Sequence, residues 1–512
     1  MSAPVESVEQ EAGAAPPKRP DPAKQAGFLV LGSTFATLSS ALSPLLVVRL
    51  IGKPDVASLM SVTLVYETLA TLLSTGLPYT LLYQVSNREL PERAAIARRI
   101  ALVAGSLGAA GGLLIGVVFL AAHLRAFGWV PDQDTSWQLG LLLWLAPTLA
   151  LDLPFRLLPS LLIAEGEARR SAGLQVVRTL ALTLATLVPL ALQAGVHTVI
   201  LTYAVVRTLF GLWLFRELRR LYAAVPRRAA TLNLKELLAF AIPMGATDAL
   251  GAMNAQLDRW LVLLVLPGAR LADYQLGAFQ IPVIATIAYS VGAAYTPELV
   301  RRFQARDPYG ALAIWQRGIV KVSLIVVPVT MALVVGAEEL MSLLFTRAYV
   351  DAASIFRFYS VLTFLRVAAY GTVIASAGRP GYVVRAAGLG FFYNVAFGVP
   401  LVLTLGFIGP AVGAALAFVL HVATYVYYIA RAANVPMSKV FPLGSYSRIF
   451  GLSAVAGALG YGVKRSLSAH PTPALFAEIV VVLGVFAVLG TLTGLIERSD
   501  WQYVRRLLKL KR

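Results

Sequence analysis

The chain has 512 residues, of which 58% are hydrophobic and 14% charged, and its formal net charge is +18. A soluble domain carries about 25% charged residues, so this composition excludes an ordinary soluble protein and predicts a chain largely dissolved in lipid. The absence of cysteine excludes disulfides and thiolate metal sites. The basic residues lie in short loops between apolar runs, which is typical of membrane topology and argues against a nucleic-acid partner.

Fourteen apolar segments follow one another along the chain, with lengths suited to helices that cross a hydrocarbon layer of about 30 Å. Strand-like alternation is absent, and we therefore expect an all-α integral membrane protein. The predicted spans are 27–50, 55–84, 100–124, 137–164, 172–194, 197–222, 236–266, 272–296, 318–345, 350–377, 381–407, 410–432, 448–468 and 472–496.

The two ends of the chain are polar. Residues 1–26 are rich in alanine, proline and charge, and we expect a disordered cytoplasmic arm. Residues 497–512 are basic and amphipathic, and we expect them along the cytoplasmic headgroups. The span count is even, and most loop lysines and arginines lie on the side of the termini, so both termini are predicted to be cytoplasmic.

Two parts of the chain resemble each other. Gly76-Leu-Pro-Tyr-Thr, in the second span, is similar to Ala294-Tyr-Thr-Pro-Glu, which ends the eighth. Offsets of this size recur elsewhere, which predicts two six-helix lobes related by an axis along the membrane normal. The predicted parts are an N-lobe at 27–222, a cytoplasmic linker at 223–235, a C-lobe at 236–432 and two further helices within 433–496.

Charged side chains within the spans are the candidate functional residues. An arginine at a helix centre costs about 2.5 to 3.5 kcal/mol on insertion scales, so we expect these arginines to line a shared polar cavity or to pair with acids. The candidate substrate-binding arginines are Arg156, Arg178, Arg207, Arg259, Arg357 and Arg366. The candidate counter-charges or ion-coupling groups are Glu67, Asp152, Asp248 and Asp258.

Position along each helix separates these arginines. Asp152 and Arg156 are four residues apart on a span with three prolines, which predicts an intrahelical pair on a kinked helix. Arg178 and Arg357 lie within two turns of an interface, where an arginine can also snorkel to the headgroups.

Arg207 and Arg366 are central, and we expect them in the cavity. Arginine binds phosphate through paired, charge-assisted hydrogen bonds, so such a cavity favours an anionic substrate.

No enzyme signature is present. The sequence lacks a Walker loop, a nucleotide-binding glycine run after a strand and an HExxH motif, so we expect neither catalysis nor a bound cofactor. An ion gradient, membrane potential or consumption of the product must then drive any transport, and the acids above allow Na⁺ or H⁺ coupling.

Five short motifs, in order, resemble those of bacterial polysaccharide flippases of the multidrug/oligosaccharidyl-lipid/polysaccharide exporter superfamily. They are VRLIGKP at 48–54, DR at 258–259 with DYQLG at 273–277, YTPEL at 295–299, LFTRAYVDAA at 344–353 and AGRP at 377–380. The sequence departs from the family where Val56-Ala-Ser replaces its usual Tyr-Gly.

The resemblance implies two six-helix bundles facing each other in a V, in a bacterial inner membrane. It implies transfer of a polyprenyl-pyrophosphate-linked oligosaccharide to the outer leaflet by alternating access, with membrane lipids and a polysaccharide polymerase as further partners. Three alternatives stay open: a drug/cation antiporter, a peptidoglycan-precursor lipid flippase and a non-transporting membrane scaffold.

Overall fold

The computed structural model describes residues 22–86, 88–125, 133–225, 234–266, 268–279, 281–467 and 469–498. Within them every regular element is a helix. The first half comprises α1 (Pro22–Leu50), α2 (Lys53–Ser74), α3 (Leu77–Ser86), α4 (Leu90–His123), α5 (Gln133–Leu145), α6 (Leu149–Arg156), α7 (Leu158–Ala164), α8 (Ala168–Ala191) and α9 (Gly195–Tyr222). The second half comprises α10 (Leu234–Val265), α11 (Ala269–Gly277), α12 (Pro282–Gln304), α13 (Pro308–Val335), α14 (Ala337–Phe345), α15 (Ala352–Leu365), α16 (Tyr370–Ser376), α17 (Pro380–Leu405), α18 (Gly409–Ala433), α19 (Leu443–Ser466) and α20 (Pro471–Leu492).

Each of the fourteen predicted spans coincides with one helix or with a broken run of helices. Ten helical stretches in the described part of the chain are long and apolar enough to cross a membrane, and one of these contains both α17 and α18. The predicted all-α fold of a multi-pass membrane protein is confirmed.

The fourth span is broken twice, at its prolines. Pro147 lies in a 3₁₀ turn between α5 and α6, Pro154 lies inside α6, and Pro159 lies in the first turn of α7. Proline lacks the N–H that an interior helix position donates, so Pro154 weakens α6 from within, whereas Pro147 and Pro159 suit the first turn of a new helical segment. The predicted kink is therefore present, and it leaves α6 as a separate two-turn segment in the middle of the span.

The packing partners in the first half recur in the second. α1 packs on α8 as α10 packs on α17, and α4 packs on α6 as α13 packs on α15. α8 and α6 both contact α9, just as α17 and α15 both contact α18. These pairings fit two pseudo-symmetric six-helix bundles, with α19 and α20 packed against α13. The residue boundaries proposed for the lobes stay predictions.

Most of the two chain ends lies outside the described residues: the predicted arm up to residue 21 and the predicted tail from residue 499. Residues 22–26, expected to be disordered, instead form the first turn of α1. Pro22 favours this start, because its fixed backbone angle suits the first position of a helix and its missing N–H is not needed there.

Candidate functional site

A network of five charged side chains lies inside the first half. Glu67 on α2, Asp152 and Arg156 on α6, Arg178 on α8 and Arg207 on α9 are brought together by the packing of these helices. Separate helices supply the members, so tertiary packing rather than local sequence assembles the network.

Asp152 is the centre of this network and accepts hydrogen bonds from three arginines. Its Oδ2 accepts from Arg156 Nε at 2.9 Å and from Arg207 Nη1 at 2.6 Å, while its Oδ1 accepts from Arg178 Nη2 at 2.6 Å. The Asp152 side chain is 0% exposed. A buried carboxylate is tolerated only when charge-assisted hydrogen bonds replace its hydration, and here three arginines do so.

Glu67 ties two of the same arginines to α2. Its Oε2 accepts from Arg156 Nη2 at 2.7 Å, and its Oε1 forms an ion pair with Arg207. The ring centres of Tyr66 and Tyr203 each lie 4.5 Å from the guanidinium carbon of Arg207, which donates to the Tyr203 hydroxyl at 3.0 Å. Cation–π contact with two rings stabilises a guanidinium that water does not reach.

The network carries more positive than negative charge: three guanidinium groups face two carboxylates. Arg207 is 1% exposed, whereas the side chains of Arg156 and Arg178 are 18% and 21% exposed and that of Glu67 is 36% exposed. The network is thus closed on the Arg207 side and open on the side of Glu67, Arg156 and Arg178. The partly exposed side chains of Glu67, Arg156 and Arg178 therefore present a net positive charge to a ligand beside them.

A polar cavity of about 260 Å³ lies in the second half, among the helices that correspond by their packing to those of the charge network. Asn254 and Asp258 on α10, Arg366 at the end of α15, Asn394 on α17 and His421 on α18 contribute polar groups to its wall. The Asn394 amide donates to the backbone and side-chain oxygens of Asn254 at 3.2 and 3.1 Å, which joins α17 to α10.

Arg366 follows the last residue of α15, and Arg156 is the last residue of α6, the helix with the same packing partners in the first half. Its guanidinium carbon lies 5.1 Å from the centre of the Phe418 ring. Asp258 accepts the backbone N–H of Arg259 at 2.9 Å. In the described residues, the first half therefore holds a five-membered charge network, and the corresponding helices of the second half enclose a polar cavity.

A second cavity, of about 600 Å³, lies between the two halves, with walls from α1, α2, α10 and α11. Arg259 lies in its wall and donates to the Gln256 side chain at 2.8 Å, and the neighbouring wall includes Thr37, Ser40 and Gln275. The cavity brings an arginine and several neutral hydrogen-bonding groups to the seam between the halves.

The predicted outer end of this seam is closed by polar contacts between the halves. Lys53 at the start of α2 forms an ion pair with Asp273 on α11 at 2.8 Å, and Arg49 Nη2 donates to the Leu343 carbonyl oxygen at 2.8 Å. Deeper in the seam, Trp260 Nε1 on α10 donates to the Thr68 hydroxyl at 3.1 Å. These contacts join the two halves on that side of the inter-half cavity.

Further along the seam, α10 lies directly against the break between α2 and α3. Gly76 has a φ of +76°, and a side chain there would strike the backbone of Ala241 and Gly245 on α10. Glycine both adopts this backbone angle and leaves room for the close approach.

The six candidate arginines do not share one cavity. Three of them, Arg156, Arg178 and Arg207, pair with acids, which was the second of the two arrangements expected from the sequence. Arg366 and Arg259 line two different cavities.

Arg357 lies towards the predicted outer end and pairs with Glu338 at 2.9 Å. Among the acids, Glu67 and Asp152 join the network and Asp258 lines the second-half cavity, but Asp248 is an exposed residue of α10 away from both. Each helix buries the face that its own neighbours cover, so a charge at mid-depth does not by itself point towards the molecular centre.

Sequence reasoning missed three features of these sites: the Tyr66–Arg207–Tyr203 stack, the Asn254–Asn394 contact and the Lys53–Asp273 clamp. The four-residue spacing of Tyr203 and Arg207 on one helix face was an available signal for the first. The Asn254–Asn394 and Lys53–Asp273 contacts join residues far apart in sequence, so no local sequence pattern predicts them.

Comparisons with known proteins concern the fold. No protein-family model matches the chain, and its sequence matches no curated protein significantly. Among solved structures, the lipid II flippase MurJ in an inward closed conformation is similar with a TM-score of 0.65 and 12% identity, covering 89% of this chain and 98% of that one. An inward-facing multidrug resistance MATE transporter matches with a TM-score of 0.57 and 15% identity, over 79% and 96% of the two chains. A transporter from Pyrococcus furiosus matches with a TM-score of 0.53 and 14% identity, over 81% and 96%. The chain therefore has the fold of the MOP superfamily of transporters, as its motifs led us to expect.

Proposed function

We propose that this protein transfers a polyprenyl-pyrophosphate-linked oligosaccharide from the cytoplasmic to the outer leaflet of a bacterial inner membrane. The observation that carries the proposal is the sign of the interior charge. The charge network, the second-half cavity and the inter-half cavity together hold five arginines and three carboxylates. A pyrophosphate group would complement this excess, because guanidinium groups bind phosphate oxygens with paired, charge-assisted hydrogen bonds.

In this mechanism the two halves rock about the inter-half cavity, which opens to one leaflet and then to the other. The Lys53–Asp273 ion pair at the outer end and the close approach of Gly76 to α10 in the predicted cytoplasmic half both join the two halves, which supports a closed state between the two open ones. Arg259 contacts the pyrophosphate in the inter-half cavity, and the lipid tail stays in the bilayer along the seam. Glu67, Asp152 and Asp258 are the proposed groups for any coupling to Na⁺ or H⁺, and the surface-polysaccharide polymerase is a proposed downstream partner.

The likeness to a lipid II flippase, which covers nearly the whole of that chain, favours one second candidate. A peptidoglycan-precursor lipid presents the same polyprenyl pyrophosphate, so the arginines suit it equally well. A drug/cation antiporter is the less suitable alternative, because a cationic substrate requires a surplus of carboxylates where this interior has a surplus of arginines.

The test is flipping by purified protein in proteoliposomes, with fluorescent polyprenyl-pyrophosphate oligosaccharides as substrates. Arg259→Ala removes a cavity arginine whose described side-chain partner is Gln256, so the fold should survive. Loss of charge-assisted bonds worth about 1.5 to 3 kcal/mol should slow flipping about 10- to 100-fold. Arg357→Ala, at the exposed ion pair with Glu338, is the matched control and should flip normally.

Equal flipping by the wild type, Arg259→Ala and Arg366→Ala would refute the assignment of these arginines. Uptake of an organic cation, with no flipping of either lipid, would replace the proposal by the antiporter alternative. A protein that reconstitutes intact but moves none of these substrates would favour the scaffold.

A further inference from the structure

A groove of about 920 Å³ opens on the side of the first half, with α4 and α9 as its walls and α6 as its floor. The walls are built from small and apolar residues, among them Gly105 and Ala109 on α4 and Ala150 and Pro154 on α6. A side chain at position 105 would approach the Ala150 carbonyl oxygen to 3.3 Å, so the glycine leaves α4 close to the floor. This groove plays no part in the proposed transport path, which runs between the two halves.

Two arginines stand at one end of the groove. Arg98 on α4 donates from Nη2 to the Tyr222 carbonyl oxygen at 3.1 Å, and its remaining donors point to no partner among the described residues. Arg219 on α9 is exposed and makes no hydrogen bond or ion pair within the described part of the chain. Both lie at the arginine-rich end of the bundle, where the headgroup layer is expected.

The length of the groove matches one leaflet. From Arg98 to Ala109, α4 rises about 16 Å at 1.5 Å per residue, and half of a hydrocarbon layer of about 30 Å is about 15 Å. The groove thus places two cations at headgroup level and an apolar channel below them that extends to about the bilayer centre. A free phosphate or a nucleotide would leave the apolar part of this channel unfilled.

The floor of the groove is the back of the charge network. Ala150 and Pro154 face the groove, while Asp152 and Arg156, two residues further along α6, face the network. Positions two apart on a helix differ by about 200°, so they lie on opposite sides. A ligand in the groove would therefore pack against the same short helix that carries the central carboxylate.

We propose that this groove binds one anionic glycerophospholipid of the adjacent leaflet. Its phosphate lies between Arg98 and Arg219, and one acyl chain follows α4 down to Ala109. Two guanidinium groups with unused donors match a phosphodiester, and the apolar channel matches a fatty acyl chain. The site is separate from the transported substrate, and it holds whether or not the proposed function is correct.

Native mass spectrometry of the full-length protein in detergent tests this site. The protein is titrated with phosphatidylglycerol and with phosphatidylcholine of the same acyl chains. The wild type should bind a first phosphatidylglycerol more tightly than a first phosphatidylcholine. Arg219→Ala should weaken phosphatidylglycerol about fivefold, equivalent to about 1 kcal/mol for one arginine at a headgroup, and weaken phosphatidylcholine less, because the choline ammonium already offsets the charge of its phosphate.

Two further variants separate this site from general lipid adhesion. Arg431→Ala removes an exposed arginine at the same end of the bundle, on α18, and should keep the full lipid preference. Ala109→Leu fills the apolar channel without altering charge and should weaken both lipids. An unaltered phosphatidylglycerol preference in Arg219→Ala, an equal loss in Arg431→Ala or no preference in the wild type would each overturn the proposal.

Discussion

Replacing Asp152 by asparagine tests whether the buried network behaves as an electrostatic unit. The substitution keeps the shape of the side chain but removes one of two carboxylates, leaving Glu67 to face Arg156, Arg178 and Arg207. Removal of one partner from a buried ion pair costs about 3 to 5 kcal/mol, because the remaining charge stays desolvated. At about 2.1 cal/mol/K of unfolding entropy per residue, this cost lowers the melting temperature by about 3 to 5 °C.

The melting temperature of the purified protein in detergent, followed by size-exclusion chromatography after heating, measures this effect. Glu338→Gln is the matched control, since it breaks an ion pair whose side chains are 54% and 39% exposed. Exposed pairs contribute about 0 to 1 kcal/mol, so the control should shift the melting temperature by less than about 1 °C.

A second substitution distinguishes charge from packing. The described hydrogen bond of Arg178 is to Asp152, so Asp152→Asn combined with Arg178→Gln restores the net charge of the network. The double variant should therefore be more stable than Asp152→Asn alone. Equal shifts for Asp152→Asn and Glu338→Gln, or a double variant less stable than the single one, would refute the electrostatic reasoning.

Two more predictions concern the seam and the last helix. Asp273→Ala removes the partner of Lys53 and should open the outer seam. The chain has no cysteine, so a Gln275→Cys substitution places a single reactive thiol in the inter-half cavity, and this thiol should react several-fold faster with an impermeant maleimide when Asp273→Ala is also present. An unchanged reaction rate would contradict the role of the Lys53–Asp273 ion pair in closing the seam. Glu478 on α20 is 0% exposed, and neither of its oxygens has a hydrogen-bond partner in the described structure, so Glu478→Gln should leave the melting temperature unchanged or raise it. A fall of more than about 2 °C would show that the carboxylate has a stabilising partner.

Hydropathy and proline positions were enough to predict the fold class and the positions of the helices along the chain. The kinked fourth span and the Asp152–Arg156 pair were also predictable, since both depend on residues within one helix. Lipid cannot hydrogen-bond to the backbone, so an apolar segment that spans the membrane forms a helix, in which its own backbone groups hydrogen-bond to one another. Five short motifs then resembled those of a superfamily, and the fold is similar to that of solved transporters of 12% and 15% identity.

The meeting of Arg178 and Arg207 with the Asp152 carboxylate could not be predicted in the same way. It depends on how α8 and α9 rotate and pack against α6, and helix faces are not set by the depth of a residue in the membrane. Arg156 and Arg366 illustrate this, because Arg156 at the end of α6 joins the charge network while Arg366 at the end of α15 lies in the wall of the second-half cavity.

The sequence by itself therefore determined that this is an all-helical, multi-pass membrane protein with arginines inside its spans. These properties can be predicted from local sequence, because the length, hydrophobicity and residue spacing of each span decide separately whether it forms a membrane-spanning helix. Only the tertiary structure decided that these arginines separate into an ion-pair network and two cavities, and that Lys53 and Asp273 clamp the seam. Those outcomes depend on contacts between helices distant in sequence, which follow from the packing of the whole bundle.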